Sequence, residues 1–166
     1  MKTPTSPDIE GPFYKPGAPE RNDLFLIDSG VKALCIFGKV VDVEDKPLLA
    51  QVELWHANEK GNYDHEGYRY RGLIKTDDDG EFDFFSIVPG RYLNGKQFRP
   101  AHLHFRIVCD GYQELITQLY FKDDPYNAVD PWFDSKREVE IIKSGYARTV
   151  EYEFVLTRAR GHRDED

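Results

Sequence analysis

From residue 33 onward, short strand-like runs recur at close intervals, and no helix-length periodic segment separates them. Such runs cover residues 33–43, 51–56, 68–75, 81–85, 101–109, 114–121, 138–142 and 149–156. They are rich in Val, Ile, Phe, Tyr and Trp, the residue types that fit a pleated surface. In residues 51–56 (Gln-Val-Glu-Leu-Trp-His) polar and apolar side chains alternate, as in a half-buried strand. This pattern predicts an all-β fold, a β-sandwich of about eight strands. Asp77-Asp78-Asp79-Gly80 reads as a hairpin turn joining two of the runs. As a calcium loop it lacks the spaced ligands and the distal Glu.

The first 30 residues carry Pro4, Pro7, Pro12, Pro16 and Pro19 and predict an extended arm rather than a helix. Residues 158–166 form a charged tail expected to fray. At 166 residues, the chain fits a single domain spanning 1–166 with room for a core that needs no disulfides.

A net charge of −8 argues against nucleic acid and anionic membranes as partners. No apolar run is long enough to span a bilayer, and the start lacks the pattern of a signal peptide. Cys35 and Cys109 fall in strand runs and read as small buried hydrophobes rather than a disulfide framework. A cytoplasmic location is the matching expectation.

His102-Leu103-His104 lies within a strand run. Alternation puts both imidazoles on one face, about 7 Å apart along the backbone. Two such rings can share a metal ion, although an isolated His-x-His in a strand is more often a bystander. Two tyrosines stand upstream, Tyr63 after Gly61-Asn62 and Tyr92 after Pro89-Gly90-Arg91. Taken alone, a loop tyrosine is usually a packing residue. His162-x-Asp164 could begin a two-His-one-carboxylate ferrous site, but it sits in the charged tail.

In one order, the chain carries Gly11-Pro12-Phe13-Tyr14, Glu53-Leu54-Trp55, Gly61-Asn62-Tyr63, Ile87-Val88-Pro89, Arg99-Pro100-Ala101-His102-Leu103-His104-Phe105 and Thr117-Gln118-Leu119-Tyr120-Phe121. In these motifs it resembles the intradiol ring-cleavage dioxygenases over most of its length. The resemblance implies one ferric iron per chain, Fe(III), held by Tyr63, Tyr92, His102 and His104, with Tyr92 and His104 as the axial pair. It implies a catecholic small molecule and O2 as substrates, the ring opening between its two hydroxylated carbons to a muconate-type diacid. Tyr92 then also has a catalytic role, leaving the metal and taking a substrate proton. Arg99 and Gln118 become the residues near the reacting ring. The Gly11–Tyr14 arm is closest to protocatechuate-type members, and nine residues between Tyr92 and His102 are few, which would leave one pocket wall open. Arg69, Arg71, Arg91 or Arg99 could line the pocket for an anionic substrate. A homo-oligomer stays open.

The residue types suit that chemistry. Fe(III) is a hard cation, and anionic phenolate oxygens stabilise it. Two phenolates and a hydroxide neutralise its charge, which matters in a dry pocket. Two other readings compete. One is a β-sandwich binding module without chemistry. The other is a zinc hydrolase built on His102 and His104, although tyrosine is an unusual zinc ligand.

Overall fold

A computed structural model describes residues 1–27 and 30–161. The strands are β1 (Ala33–Asp42), β2 (Gln51–Trp55), β3 (Arg71–Lys75), β4 (Glu81–Ile87), β5 (Leu93–Asn94), β6 (Gln97–Phe98), β7 (His102–Val108), β8 (Leu115–Phe121), β9 (Glu138–Val139), β10 (Ile142–Ser144) and β11 (Ala147–Leu156). One sheet has the order β10-β11-β1-β4 and a second the order β3-β2-β7-β8-β9. They form the expected β-sandwich. Leu34, Ile36, Val40, Phe82, Phe84 and Phe154 of the first sheet share one core with Leu54, Leu103, Phe105, Ile107 and Leu119 of the second.

Parity along the second sheet places the chemistry. Leu103, Phe105 and Ile107 of β7 belong to the core, so His102 and His104 must project from the outer face. The register carries this face sideways, with Arg71 opposite Trp55, Trp55 opposite His104, and His104 opposite Gln118. An outer sheet face normally meets water, yet His102 and His104 are only 4% and 2% exposed. The N-terminal residues cover them.

Residues 1–27 hold no helix and no named strand. Backbone bonds pin them across both sheets, including Thr5 N–H to the Val155 carbonyl, Asp8 N–H to the Ile116 carbonyl and Leu24 N–H to the Phe85 carbonyl. A buried polar knot fastens them near β8. Arg137 donates to Asp8 Oδ2 at 2.6 Å and to the Gln118 carbonyl at 2.8 Å, and Tyr120 donates to Asp8 Oδ2 at 2.6 Å.

Several elements differ from the sequence reading. The Asp77–Gly80 turn forms, with Gly80 at φ +74° and Asp77 Oδ1 accepting from Asp79 and Glu81 N–H. It is not a hairpin, however, because β3 pairs with β2 and β4 pairs with β1. The turn carries the chain from one sheet to the other. The run at 68–75 shortens to β3, since Tyr70 adopts φ +56°, which a strand cannot accommodate. The run at 138–142 breaks into β9 and β10, which lie in different sheets. The β5–β6 pair and the 3₁₀ turns Pro125–Val129 and Ser135–Arg137 are too short to show a period. Cys35 and Cys109 are free thiols and only half-buried, Cys35 because it lies on the solvent side of β1. His162 and Asp164 lie outside the described residues. Among the described residues, no helix is long and apolar enough to cross a membrane.

Candidate metal centre

Two loops bring tyrosines to the histidine face. The first follows β2 and is organised by Asn58, whose Oδ1 accepts from Lys60 and Asn62 N–H and whose carbonyl accepts from Gly61 and Gly90 N–H. The bond from Gly90 belongs to the second loop, so Asn58 ties the Tyr63 and Tyr92 segments together. Gly61 makes their contact close. At φ +85°, its missing Cβ leaves room for the Arg91 carbonyl oxygen, with which any side chain would collide. Asp124 fixes the other end of the Tyr92 loop. Its carboxylate accepts from Arg91 Nε at 3.1 Å and from Ala101 N–H at 3.1 Å, the residues just before Tyr92 and His102. Arg99 N–H donates to the Tyr92 carbonyl at 2.7 Å, closing the β5–β6 hairpin between them.

Three donor atoms converge. Tyr63 Oη lies 3.2 Å from His102 Nε2 and 3.1 Å from His104 Nε2, and the two Nε2 atoms are 3.1 Å apart. Atoms bound to one ion at about 2.1 Å, with angles of roughly 90–110°, lie about 3.0–3.4 Å from each other. The triangle therefore has the dimensions of a shared ion.

The charge state of the rings suits ligand roles. His102 Nδ1–H donates to the Pro100 carbonyl at 2.7 Å, which leaves Nε2 as a bare lone pair. His104 Nδ1 is buried without a partner among the described residues. Burial, and then the Arg99 charge, pushes His102 down to about 3. Burial and then His102 hold His104 well below its ordinary value. Both rings are thus neutral, the form in which an imidazole can ligate a metal ion. Burial also raises the Tyr63 phenol well above its usual value, so a phenolate here needs a positive charge beside it.

Aromatic packing holds the donors in place. Trp55 stacks on His104 with centroids 4.9 Å apart and planes 6° apart. Phe13, from the N-terminal segment, stacks on Tyr63 at 4.5 Å and meets Tyr92 edge-on at 4.8 Å. Tyr92 is half-buried. Its ring lies 6.0 Å from that of Tyr63 and lines the same cleft, but its hydroxyl takes no part in the triangle.

Arg99 lines the cleft and points Nη1 at His102 Nε2, 3.3 Å away. Its Nε donates to Asp130 Oδ1 at 2.9 Å, Nη2 donates to Gln118 Oε1 at 2.9 Å, and Trp132 covers its face at 4.7 Å. Burial opposes the guanidinium charge, but Asp130 more than offsets this and holds Arg99 above its ordinary value. Gln118 is fully buried, and its Nε2 donates to the Ile9 carbonyl at 2.9 Å. It holds Arg99 and the N-terminal segment and is not part of the cleft wall. Of the four arginines that could have lined the pocket, only Arg99 does so. Arg91 pairs with Asp124, and Arg71 is buried in the sheet row beside Trp55.

Sequence reasoning missed Phe13, Asn94, Asp130 and Trp132, which also build the cleft and the setting of Arg99. They come from segments far apart in the chain and carry no local pattern.

His56 shows what burial does nearby. It is fully enclosed, with Nε2 2.7 Å from Ser86 Oγ and Nδ1 2.7 Å from the Ala57 carbonyl, and burial lowers it from 6.5 to about 4. The unfolded chain binds this proton between pH 6.5 and 4 and the folded chain does not, so stability rises with pH in that window. Urea unfolding at pH 7, 6 and 5 should show His56 contributing a loss of up to about 1.4 kcal/mol per pH unit on acidification. His56→Gln should flatten the slope by that amount, and an unchanged slope would contradict the assignment.

A β-sandwich carrying a buried phenol–imidazole–imidazole triangle on one outer face defines a class of candidate metal-binding domains. Comparison with known proteins narrows the class. A family described as "Dioxygenase" matches residues 9–157. Chlorocatechol 1,2-dioxygenase of Rhodococcus opacus is 32% identical over 92% of this chain and 72% of its own length. Catechol 1,2-dioxygenase of Acinetobacter baylyi is 33% identical over 78% of this chain and 50% of its own. Among solved structures, the dioxygenase domain of a dioxygenase–carbohydrate-binding protein fusion from Streptomyces sp. SirexAA-E superposes with a TM-score of 0.87. Its identity is 34%, covering 95% of this chain and 100% of that one. The 3-chlorocatechol 1,2-dioxygenase of Rhodococcus opacus superposes with a TM-score of 0.88 at 30% identity, covering 93% and 73%. The chain belongs to the intradiol ring-cleavage dioxygenase family. It spans half to nearly three quarters of the length of the two curated relatives named here.

Proposed function

We propose that this protein binds one Fe(III) through Tyr63, Tyr92, His102 and His104 and uses O2 to open a catechol-type ring between its hydroxylated carbons, giving a muconate-type diacid. The observation that carries this reading is the triangle of Tyr63 Oη, His102 Nε2 and His104 Nε2, at 3.1–3.2 Å, on a covered sheet face beside Arg99. A zinc hydrolase is less favoured. Among the described residues, no third His, Cys, Asp or Glu joins the two histidines.

When bound, Fe(III) supplies an electron-accepting centre that activates a chelated catecholate towards O2. The chain supplies the rest. Tyr63, held between Phe13 and the two imidazoles, is the fixed anionic ligand. Tyr92 is less enclosed and stands outside the triangle, so of the residues that would hold the metal it is the one whose oxygen would be free to move and to hold a proton taken from the catechol. Arg99 Nη1 faces the donor atoms and offsets negative charge on the ring oxygens as it develops. Asp130, Gln118 and Trp132 keep that guanidinium from turning away. Phe13 and Trp132 limit water in the cleft.

Metal analysis and a visible spectrum of protein produced with iron available test this. One iron per chain and a red-brown tyrosinate-to-iron band are expected. Stoichiometric zinc in a colourless protein would overturn the reading.

A further inference from the structure

Tyr120 lies on β8 opposite His102, on the outer face of the sheet, and is fully buried. Its phenol carries one proton and has three acceptors within reach, Asp8 Oδ2 at 2.6 Å, the Trp132 carbonyl at 3.2 Å and Gln118 Oε1 at 3.3 Å. The carboxylate is the nearest of the three and carries the charge, so it takes the proton's hydrogen bond. Burial, and then Asp8, hold the phenol well above its ordinary value, so the proton stays on Tyr120. With that hydrogen turned to Asp8, the Tyr120 oxygen presents lone pairs to Arg99, whose Nη2 lies 3.4 Å away.

The same Nη2 donates to Gln118 Oε1 at 2.9 Å and to Asp130 Oδ2 at 3.2 Å. A guanidinium is planar and rigid, so the acceptors around Nη2 fix the direction of Nη1, which faces His102 Nε2. Asp8 is therefore one phenol away from Arg99. Without the Asp8 carboxylate, the phenol proton would turn to the Trp132 carbonyl or to Gln118 Oε1. In the second case a positive hydrogen comes to lie beside Nη2. Gln118 makes a parallel link, since its Nε2 donates to the Ile9 carbonyl at 2.9 Å. Both links end on residues 8 and 9, in the segment that carries Pro12 and Phe13 into the cleft wall.

Resting on the catechol-cleaving reading above, we propose that Tyr120 is a positioning residue through which the seating of the N-terminal segment sets the aim of Arg99. The guanidinium then faces the donor atoms only when the segment that walls the cleft is in place. Charge stabilisation and exclusion of water are assembled by one event.

The test compares wild type, Tyr120→Phe and Ser6→Ala, all iron-loaded. Ser6 ties the same segment to Asp134 and Arg137, each at 3.0 Å, without touching Arg99. Tyr120→Phe should lower kcat roughly 3–10-fold and keep the visible band, with the Kd for catechol, titrated without oxygen, within about twofold. Ser6→Ala should lower Tm and leave kcat within about twofold. A second readout is independent of turnover. Coupling between two sites is reciprocal, so catechol bound without oxygen should slow hydrogen exchange at the Thr5 and Asp8 amides, which bond to Val155 and Ile116. The slowing should be smaller in Tyr120→Phe. An unchanged kcat in Tyr120→Phe, or an equal fall of kcat in Ser6→Ala, would overturn the proposal while leaving ring cleavage intact. So would equal slowing in wild type and Tyr120→Phe, or no slowing in the wild type, whatever the variant's fold. A wild type that opens no catechol would instead overturn the dioxygenase reading, and the proposal with it.

Discussion

Tyr63→Phe, His102→Ala and His104→Ala proteins will each hold far less than one iron per chain, with affinity reduced by at least on the order of 10²-fold. Changing a residue that only orients a metal ligand already costs about 10–100-fold, and these changes remove the donor atom itself. Each also leaves the other two atoms of the buried triangle without their third member. Tyr92→Phe should behave differently. Tyr92 stands outside the triangle, so iron should be largely retained while the visible band shifts and turnover slows. Iron content and visible absorption, measured side by side on the four variants, check this. Tyr63→Phe protein with the parent spectrum would contradict the ligand assignment.

The second large effect concerns stability. Asp8→Ala should destabilise the fold by about 3–5 kcal/mol, the usual cost of stranding one partner of a buried ion pair. Arg137 is 3% exposed, and its Nη1 lies 2.6 Å from Asp8 Oδ2, an acceptor that Tyr120 also uses. For a chain of this size, the loss corresponds to roughly 6–20 °C in Tm. Replacing both partners, as in Asp8→Leu with Arg137→Met, should recover much of it, because no buried charge is then left alone. Asp8 also anchors the segment that leads into Ile9, Gly11, Pro12 and Phe13, so Asp8→Ala should raise KM as well. Thermal unfolding of the single and double variants decides the matter. A loss below about 1 kcal/mol for Asp8→Ala would show that the pair does not carry this load.

How far the site could be read from sequence depends on whether its parts obey a period. His102 and His104 could be placed on one face because strand parity is strict, and Leu103 confirms it from the core side. Trp55 and Glu53 follow the same rule on β2. Tyr63 and Tyr92 sit on loops without a period, and only their resemblance to known motifs marked them. Asp124, Asp130 and Trp132 act through contacts that the chain closes over long separations, which no local pattern encodes. The misjudged hairpin has the same origin. Asp77–Gly80 specifies a tight turn, but which strands pair on either side is decided by core packing, and packing sent β3 and β4 to different sheets. The arm was readable as non-helical from its prolines, whereas its role as the cover of the histidine face was not. That role depends on Asp8 finding Arg137, whose place is set by a 3₁₀ turn late in the chain.

The central claim is that this chain opens a catechol between its two hydroxylated carbons. Mass and absorption spectra of the product formed from catechol and O2 by the iron-loaded protein test it most directly. The account predicts a colourless muconate-type diacid as the main product. Accumulation of a yellow semialdehyde, from cleavage of the adjacent bond, would contradict it.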